Sequence, residues 1–177
     1  MNIQGGNKFS AALQAMATAV TSADTVKIGI LSGATYPNGT PVAMVAAIQE
    51  FGAPRAGIPP RPFFRNMIAA HQAEWGPATG ELLKANDYDA AKTLAQVGEA
   101  IAGQLRQSIV DTNSPALSPV TLMLRKMQGE GITITGKQVG VARARVASGE
   151  STSGVSTKPL VWTGHLLNSI DYEVNSK

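Results

Sequence analysis

Apolar residues recur along this chain with two periods, and each change of period marks an element. Phe9, Leu13, Met16 and Val20 step by four, three and four, which predicts one stripe of a helix, capped by Asn7 and buried along that stripe. From Thr25 to Leu31 the period falls to two, with Val26, Ile28 and Ile30 alternating against Lys27 and Gly29, the pattern of a half-buried strand. Ile170, Tyr172 and Val174 alternate in the same way against Asp171 and Glu173. Two strands of matched length predict one small sheet, spanning Val26 to Leu31 and Ser169 to Val174. Its cover is expected from the N-terminal helix and from the longest helical pattern, which places Leu94, Val97, Ile101, Leu105 and Ile109 on one face. Asn86 or Asp87 can cap that helix, which runs to about Val110.

Between these landmarks the breakers set the boundaries. A turn is predicted at Tyr36-Pro37-Asn38-Gly39. Thr40 then caps a short helix with Pro41 in its first position, Val42, Val45, Ala46 and Ile48 on its faces, and Gly52 to close it. Its surface is almost wholly apolar, so it belongs in the core or at an interface. Residues 51 to 68, FGAPRAGIPPRPFFRNMI, cannot begin as helix. Pro59, Pro60 and Pro62 fix their own φ and push their predecessors into extended conformations, giving a stiff strap from Ile58 to Pro62. Phe63 and Phe64 anchor the strap in the core. Arg55, Arg61 and Arg65 are long cationic arms beside it, able to reach a carboxylate or phosphate on a neighbour. A helix from Phe64 to Trp75 is expected to stop at Gly76-Pro77. Asp111 to Pro119 is a breaker-rich turn, and Ser118-Pro119 opens a helix from Val120 to Met127.

From 129 to 158 the character changes to Gly, Ser and Thr with no large hydrophobic cluster. The expectation is an inserted arm: a two-stranded hairpin over ITITGKQVGVARARV, turning at Gly136-Lys137 and carrying Lys137, Arg143 and Arg145, followed by a flexible linker. Such a hairpin is marginal alone, so the arm would be mobile in the free protein and ordered by a partner. Beyond it, Thr163 is placed to cap a short helix at Gly164-His165-Leu166-Leu167 before the last strand. The fold class is therefore α+β, a small antiparallel or mixed sheet packed by several helices. Residues 1–128 and 159–177 form its domain, with 129–158 as the arm or hairpin.

Composition narrows the function more than it defines it. The chain has 177 residues, enough for one domain with a real core. Only 15% of them are charged against 44% hydrophobic. A soluble surface usually carries nearer a quarter charged residues, so part of this surface is expected to be covered by copies or partners. The net charge of +3 is too mild and too scattered to announce nucleic-acid binding, although contact with DNA stays open. There is no cysteine, hence no disulfide framework, thiolate nucleophile or thiolate zinc site. No charged start followed by an apolar signal core is found, and no apolar run nears the roughly 18 residues of a membrane helix. A soluble protein without membrane contact is the expectation.

Candidate chemistry is sparse. GITITGKQ, residues 131 to 138, nearly spells a phosphate-binding loop, but Gln138 stands where the magnesium-binding Ser or Thr belongs and no buried apolar strand precedes it. His71 and His165 are the only histidines, and neither has a second ligand at metal spacing. There is no nucleophile elbow. Asp87 and Asp89 read as capping and dipole complementation at a helix start. The sequence assigns no catalytic residue, metal or cofactor, and an enzyme is not expected.

Two stretches carry a resemblance. EFG at residues 50 to 52, followed by PPRPFF at 59 to 64, and PLVWTGHLLNSIDYEV at 159 to 174 resemble segments of the neck and tail-completion (head–tail joining) proteins of tailed bacteriophages. VKIGI at 26 to 30 and the Tyr-Pro turn fall in the matching order. Members usually carry Asp before the Thr-Gly, where this chain has Trp162, so any cap or ion pair made by that acid is lost. The resemblance implies a virion structural protein forming a homo-oligomeric ring, hexameric or dodecameric, in the neck. It would be assembled in the host bacterial cytoplasm and would join the portal or adaptor to the tail tube or terminator, with non-specific contact to DNA in the lumen. The residues themselves, as cationic arms and aromatics of the strap and as the basic face of the hairpin, make Arg55, Arg61, Phe63, Phe64, Arg65, Lys137, Arg143 and Arg145 the expected interface. The alternatives are a tail terminator capping the tube, or a binding module unrelated to phage that uses the cleft beside the strap.

Overall fold

A computed structural model describes residues 6–30 and 33–176. The order of elements is α1 (Gly6–Val20), β1 (Ala23–Ile30), α2 (Val42–Phe51), a 3-10 turn (Pro54–Ala56), α3 (Phe63–Ala85), α4 (Ala90–Asp111), α5 (Pro119–Gly129), α6 (Gly136–Ala147), α7 (His165–Asn168) and β2 (Ile170–Ser176). The α+β class is as the periodicities predict. β1 and β2 pair antiparallel, with Ile30 opposite Ile170, Ile28 opposite Tyr172 and Val26 opposite Val174. Leu31, expected to end the first strand, lies outside the described residues.

The apolar face of this two-stranded sheet lies on α4, whose Val97, Ile101, Leu105 and Ile109 are buried. Gly98 is where the two approach most closely: a Cβ there would stand 2.6 Å from the Tyr172 ring and 3.0 Å from Val26. The cap of α4 is Asp89, which accepts from the Lys92 N–H at 2.9 Å, and not Asn86 or Asp87. Asn86 is instead buried, donating to Thr93 and Gln96 and so pinning the α3–α4 turn to the first turns of α4. That turn needs left-handed backbone at Asp87 (φ 53°) and Tyr88 (φ 65°).

α3 does not stop at Gly76-Pro77. It runs on to Ala85, with Pro77 inside it. The side that carries Trp75 and Leu82 packs on α4, and Trp75 Nε1 donates to Gln104 at 2.9 Å. Gly76 and Pro77 both face solvent, and tertiary packing on the opposite side outweighs the local cost of the proline. α2 begins after Pro41, with no side-chain cap from Thr40, and Gly52 (φ 77°) closes it as expected. Likewise α7 follows Gly164, and Thr163 makes no cap.

Two further expectations are overturned. The first is the hairpin: residues 136 to 147 are helix α6, which packs on α5 around a second small core of Met123, Met127 and Ala142, edged by Ile132, Ile134 and Val146. Thr135 and Gln138 form a capping box at its start, so the near phosphate-binding loop is a helix entry. The second is the N-terminal stripe. α1 forms, starting at Gly6 with Asn7 inside it, but Phe9, Leu13, Met16 and Val20 are all exposed, Phe9 by 68%. The amphipathic pattern is present in α1, and nothing in the described chain covers it.

Candidate functional site: the strap and its arginines

The strap is fixed at both ends by main-chain hydrogen bonds to the residues that precede it. Ala53 and Ile58 bridge across the 3-10 turn, and the Arg61 N–H donates to the Gln49 carbonyl at 2.6 Å. α3 starts immediately afterwards, and Pro62, at its N-cap position, has no side chain able to cap it. Glu50 of α2 does that work from outside the helix. Its carboxylate accepts from the N–H groups of Phe64 (2.9 Å) and Arg65 (3.2 Å), the first-turn donors that a helix leaves unsatisfied. Arg65 completes the joint: Nε donates to the Glu50 carboxylate at 2.8 Å and Nη2 to the Glu50 carbonyl at 3.0 Å, with the guanidinium 5.1 Å from the Phe51 ring centre. Glu50 is buried in this arrangement, and a buried carboxylate requires such pairing.

Phe63 is fully buried, and its carbonyl accepts from Ser108 of α4 at 2.7 Å. Phe64 is half-buried, edge-on to Phe63, and lies against Gly29 of β1. The anchoring of the strap by its two aromatics is therefore as read from sequence.

Arg61 is not the free arm its surroundings in sequence predict. It is only 4% exposed, and all three guanidinium nitrogens donate inside the fold: Nη1 to Gln49 Oε1 (3.1 Å), Nε to the Pro115 carbonyl (2.9 Å) and Nη2 to the Ala116 carbonyl (3.4 Å). Burial lowers its pKa from the ordinary arginine value, though an arginine stays charged. Arg61 thus clamps the 112–118 connection to the strap. Arg125 does the same on the other side, donating to the carbonyls of Ser156, Lys158 and Pro159 while its guanidinium lies 5.0 Å from the Trp162 ring centre. Its pKa is lowered first by burial and then by the Arg61 charge. Sequence reasoning passed over Arg125, because its acceptors lie 31 to 34 residues away. Trp162, standing where the resembling proteins carry an acid, thus meets a cation through its ring face, and its Nε1 donates to Gln128 at 2.8 Å.

Arg55 is exposed and forms no ion pair among the described residues. Lys137 and Arg143 lie on α6, exposed and likewise unpaired among them. Arg145 instead pairs with Glu130 (3.0 Å) and Glu150 (3.5 Å), and Lys126 reaches Glu150 at 2.8 Å. The hydrogen bond from Lys126 is the main cause holding Glu150 below the usual carboxylate range.

One hollow of about 390 Å³ lies against the strap itself, between Ile58, Pro59 and Arg61 on one side and Ala116, Leu117 and Thr121 on the other, and two more lie nearby. One of about 230 Å³ is almost wholly apolar, between Ile30, Ala46, Phe51, Phe63, Phe64 and Ile170. The other, about 340 Å³, opens between the Tyr36 turn and the 159–166 segment, with Gln49, Gln128, Trp162 and His165 in its wall and the Tyr36 ring tilted against His165, centres 5.2 Å apart. Among the described residues no three His, Asp or Glu side chains converge as a metal site. None of the described helices is long and apolar enough to cross a membrane. No protein-family model, curated protein or solved structure matches the chain.

Proposed function

We propose that this protein is a structural subunit of the neck or tail-completion region of a tailed bacteriophage, acting as a homo-oligomeric ring that joins the head connector to the tail tube. One observation carries the reading: the separate segments that resemble those proteins pack on one another. VKIGI of β1 pairs with SIDYEV at β2. Tyr36 of the Tyr-Pro turn packs, with its ring tilted, against His165 of the T-G-H segment. Glu50 of the E-F-G segment caps the helix that P-F-F-R begins. The resemblance thus belongs to one packed unit and not to scattered strings.

The surface supports a subunit whose work is done in contact with others. The α1 stripe is bare, and Met44 and Phe51 of α2 are 50% and 66% exposed, an apolar burden that a partner or a second copy would cover. Of the cations first assigned to an interface, Arg55, Lys137 and Arg143 form no ion pair among the described residues, which suits them to an acidic partner or the phosphates of DNA in the lumen. Arg61 and Phe63 act inside the subunit. On this reading the protein acts by joining.

Mass spectrometry of purified particles together with electron cryomicroscopy of the neck tests the reading. The expected result is a closed ring of this chain between connector and tube. Its absence from mature particles, or its presence only as a monomer away from the neck, refutes it.

A further inference from the structure

The two-stranded sheet ends in two open edges: β1 carries Lys27 in its regular part and the exposed Asp24 at its irregular start, whereas β2 carries only acids, Asp171 and Glu173. Among the described residues, no main-chain hydrogen bond joins β1 or β2 to anything but the other strand. Only two main-chain groups of β2 are otherwise engaged, both by side chains: the Ile170 carbonyl accepts from Arg106 at 2.8 Å, and the Tyr172 N–H donates to the Asp171 carboxylate at 2.8 Å. Rows of unsatisfied N–H and C=O groups are templates for another strand.

The side chains on the sheet's outer face say which strand fits. On that face β1 presents Lys27, and β2 presents Asp171 and Glu173, all exposed. Lys27 stands opposite Glu173 in the register, yet none of the three forms an ion pair among the described residues. A symmetric pairing of β2 with β2 would set Asp171 and Glu173 against their own copies, and β1 with β1 would set Lys27 beside Lys27. Like charges side by side on adjacent strands are destabilising, opposite charges stabilising. Only the pairing of β1 from one copy with β2 of the next sets lysine among carboxylates on both sides.

We infer that copies of this chain join by strand addition, the β1 edge of one on the β2 edge of the next. The inference rests on the ring reading and names the surface that closes it. Within one copy the strands are antiparallel, and rotation about an axis lying roughly along the strands keeps every β1 parallel to every other β1. Each new β2–β1 junction is then antiparallel too, and the sheet continues from copy to copy without reversing. Such a head-to-tail contact closes into a ring when the rotation closes, whereas the symmetric alternatives stop at a dimer. At the Ile30 end Phe64 already covers Gly29 of β1, so the junction runs between Thr25 to Lys27 on the β1 edge of one copy and Asp171 to Asn175 on the β2 edge of the next. To dock, the incoming strand displaces the Asp171 carboxylate from the Tyr172 N–H and frees it for Lys27 of the neighbour.

The chain has no cysteine, so single cysteines report the contact without background. Lys27→Cys protein is mixed with Asp171→Cys or Glu173→Cys protein, each first shown to keep the wild-type melting temperature, and oxidised at the concentration where light scattering gives the closed assembly. Disulfides between unlike variants, and none within either variant alone, are expected. Lys27→Glu and Glu173→Lys should each abolish the assembly, and the double variant should restore it. Disulfides between identical chains overturn the head-to-tail pairing. An intact closed assembly with no cross-link, indifferent to both charge reversals, leaves the ring standing and removes strand addition. A protein that stays monomeric with and without the isolated connector removes the ring and the strand addition together.

Discussion

The carboxylate of Glu50 caps a helix to which it does not belong, accepting from Phe64 and Arg65 of α3 while Arg65 closes over it. One acid therefore fixes the angle between α2 and α3 and sets the strap between them. Replacing Glu50 with Ala removes a cap and a buried charge-assisted bond, a loss of about 2 to 3 kcal/mol, and Glu50→Gln should lose about half as much. Urea unfolding measures both. Equal losses for the two variants would mean that the charge contributes nothing.

Arg61→Ala should destabilise the subunit by about 2 to 4 kcal/mol, because the Pro115 and Ala116 carbonyls and Gln49 lose their donor in a buried place. Arg61→Lys should recover little, since an ammonium cannot present three N–H groups in one plane. Thermal melting decides. A variant that melts like wild type would return Arg61 to the role of an outward arm.

Gly98→Ala adds one methyl where the Tyr172 ring already stands, and a ring cannot yield by rotating a flexible tip. Overpacking of this kind costs about 1 to 3 kcal/mol. Gly103→Ala, on the same helix with open space around it, should be neutral or slightly stabilising. The contrast between the two, read by denaturant midpoint, isolates the sheet contact from helix propensity.

Because α6 packs against α5, Arg143 and Arg145 should resist limited trypsin digestion in the free protein about as well as Lys92 of α4. Ala142→Asp, which puts a charge into the second core, should expose both to rapid cleavage while Lys92 stays protected. Fast cutting at Arg143 in the unaltered protein would show that the second core does not hold.

Acid should loosen the α5–α6 pair through Glu150. Its folded pKa is depressed, so the folded form favours the ionised carboxylate. Its contribution is present above the ordinary glutamate range and is lost as pH falls through the depressed folded value. The melting temperature of Glu150→Gln should therefore lie below wild type at neutral pH and converge with it at low pH. Parallel curves across that window would contradict the assignment.

The strands and α4 were legible because their periods run unbroken and are satisfied within one chain. α6 was misread although its signals were present: GVARARV alternates like a strand, but Ala142 and Val146 also lie one helical turn apart, and Thr135-x-x-Gln138 is a capping box. Two periods fit the same letters, and the cap decides between them. The continuation of α3 through Pro77 had no local signal, since the forces that hold it come from Trp75 and Leu82 on α4. Arg61 and Arg125 were illegible for a different reason. Arginine in a polar stretch reads as solvent-facing, and the carbonyls that capture these two belong to segments distant in sequence. For α1 the stripe was read correctly and its burial was not, because a pattern tells which face wants cover and not which molecule supplies it.

The ladder partners Ile30 and Ile170 are separated by 140 positions in the chain. During synthesis β1 leaves the ribosome long before its mate, and α4 then waits with part of its apolar face bare while most of the intervening helices can already form. The sheet closes last. Loss of a few residues from β2 would not trim an edge but would hold the nascent chain at that waiting stage, where the open β1 is most prone to pair with the wrong molecule.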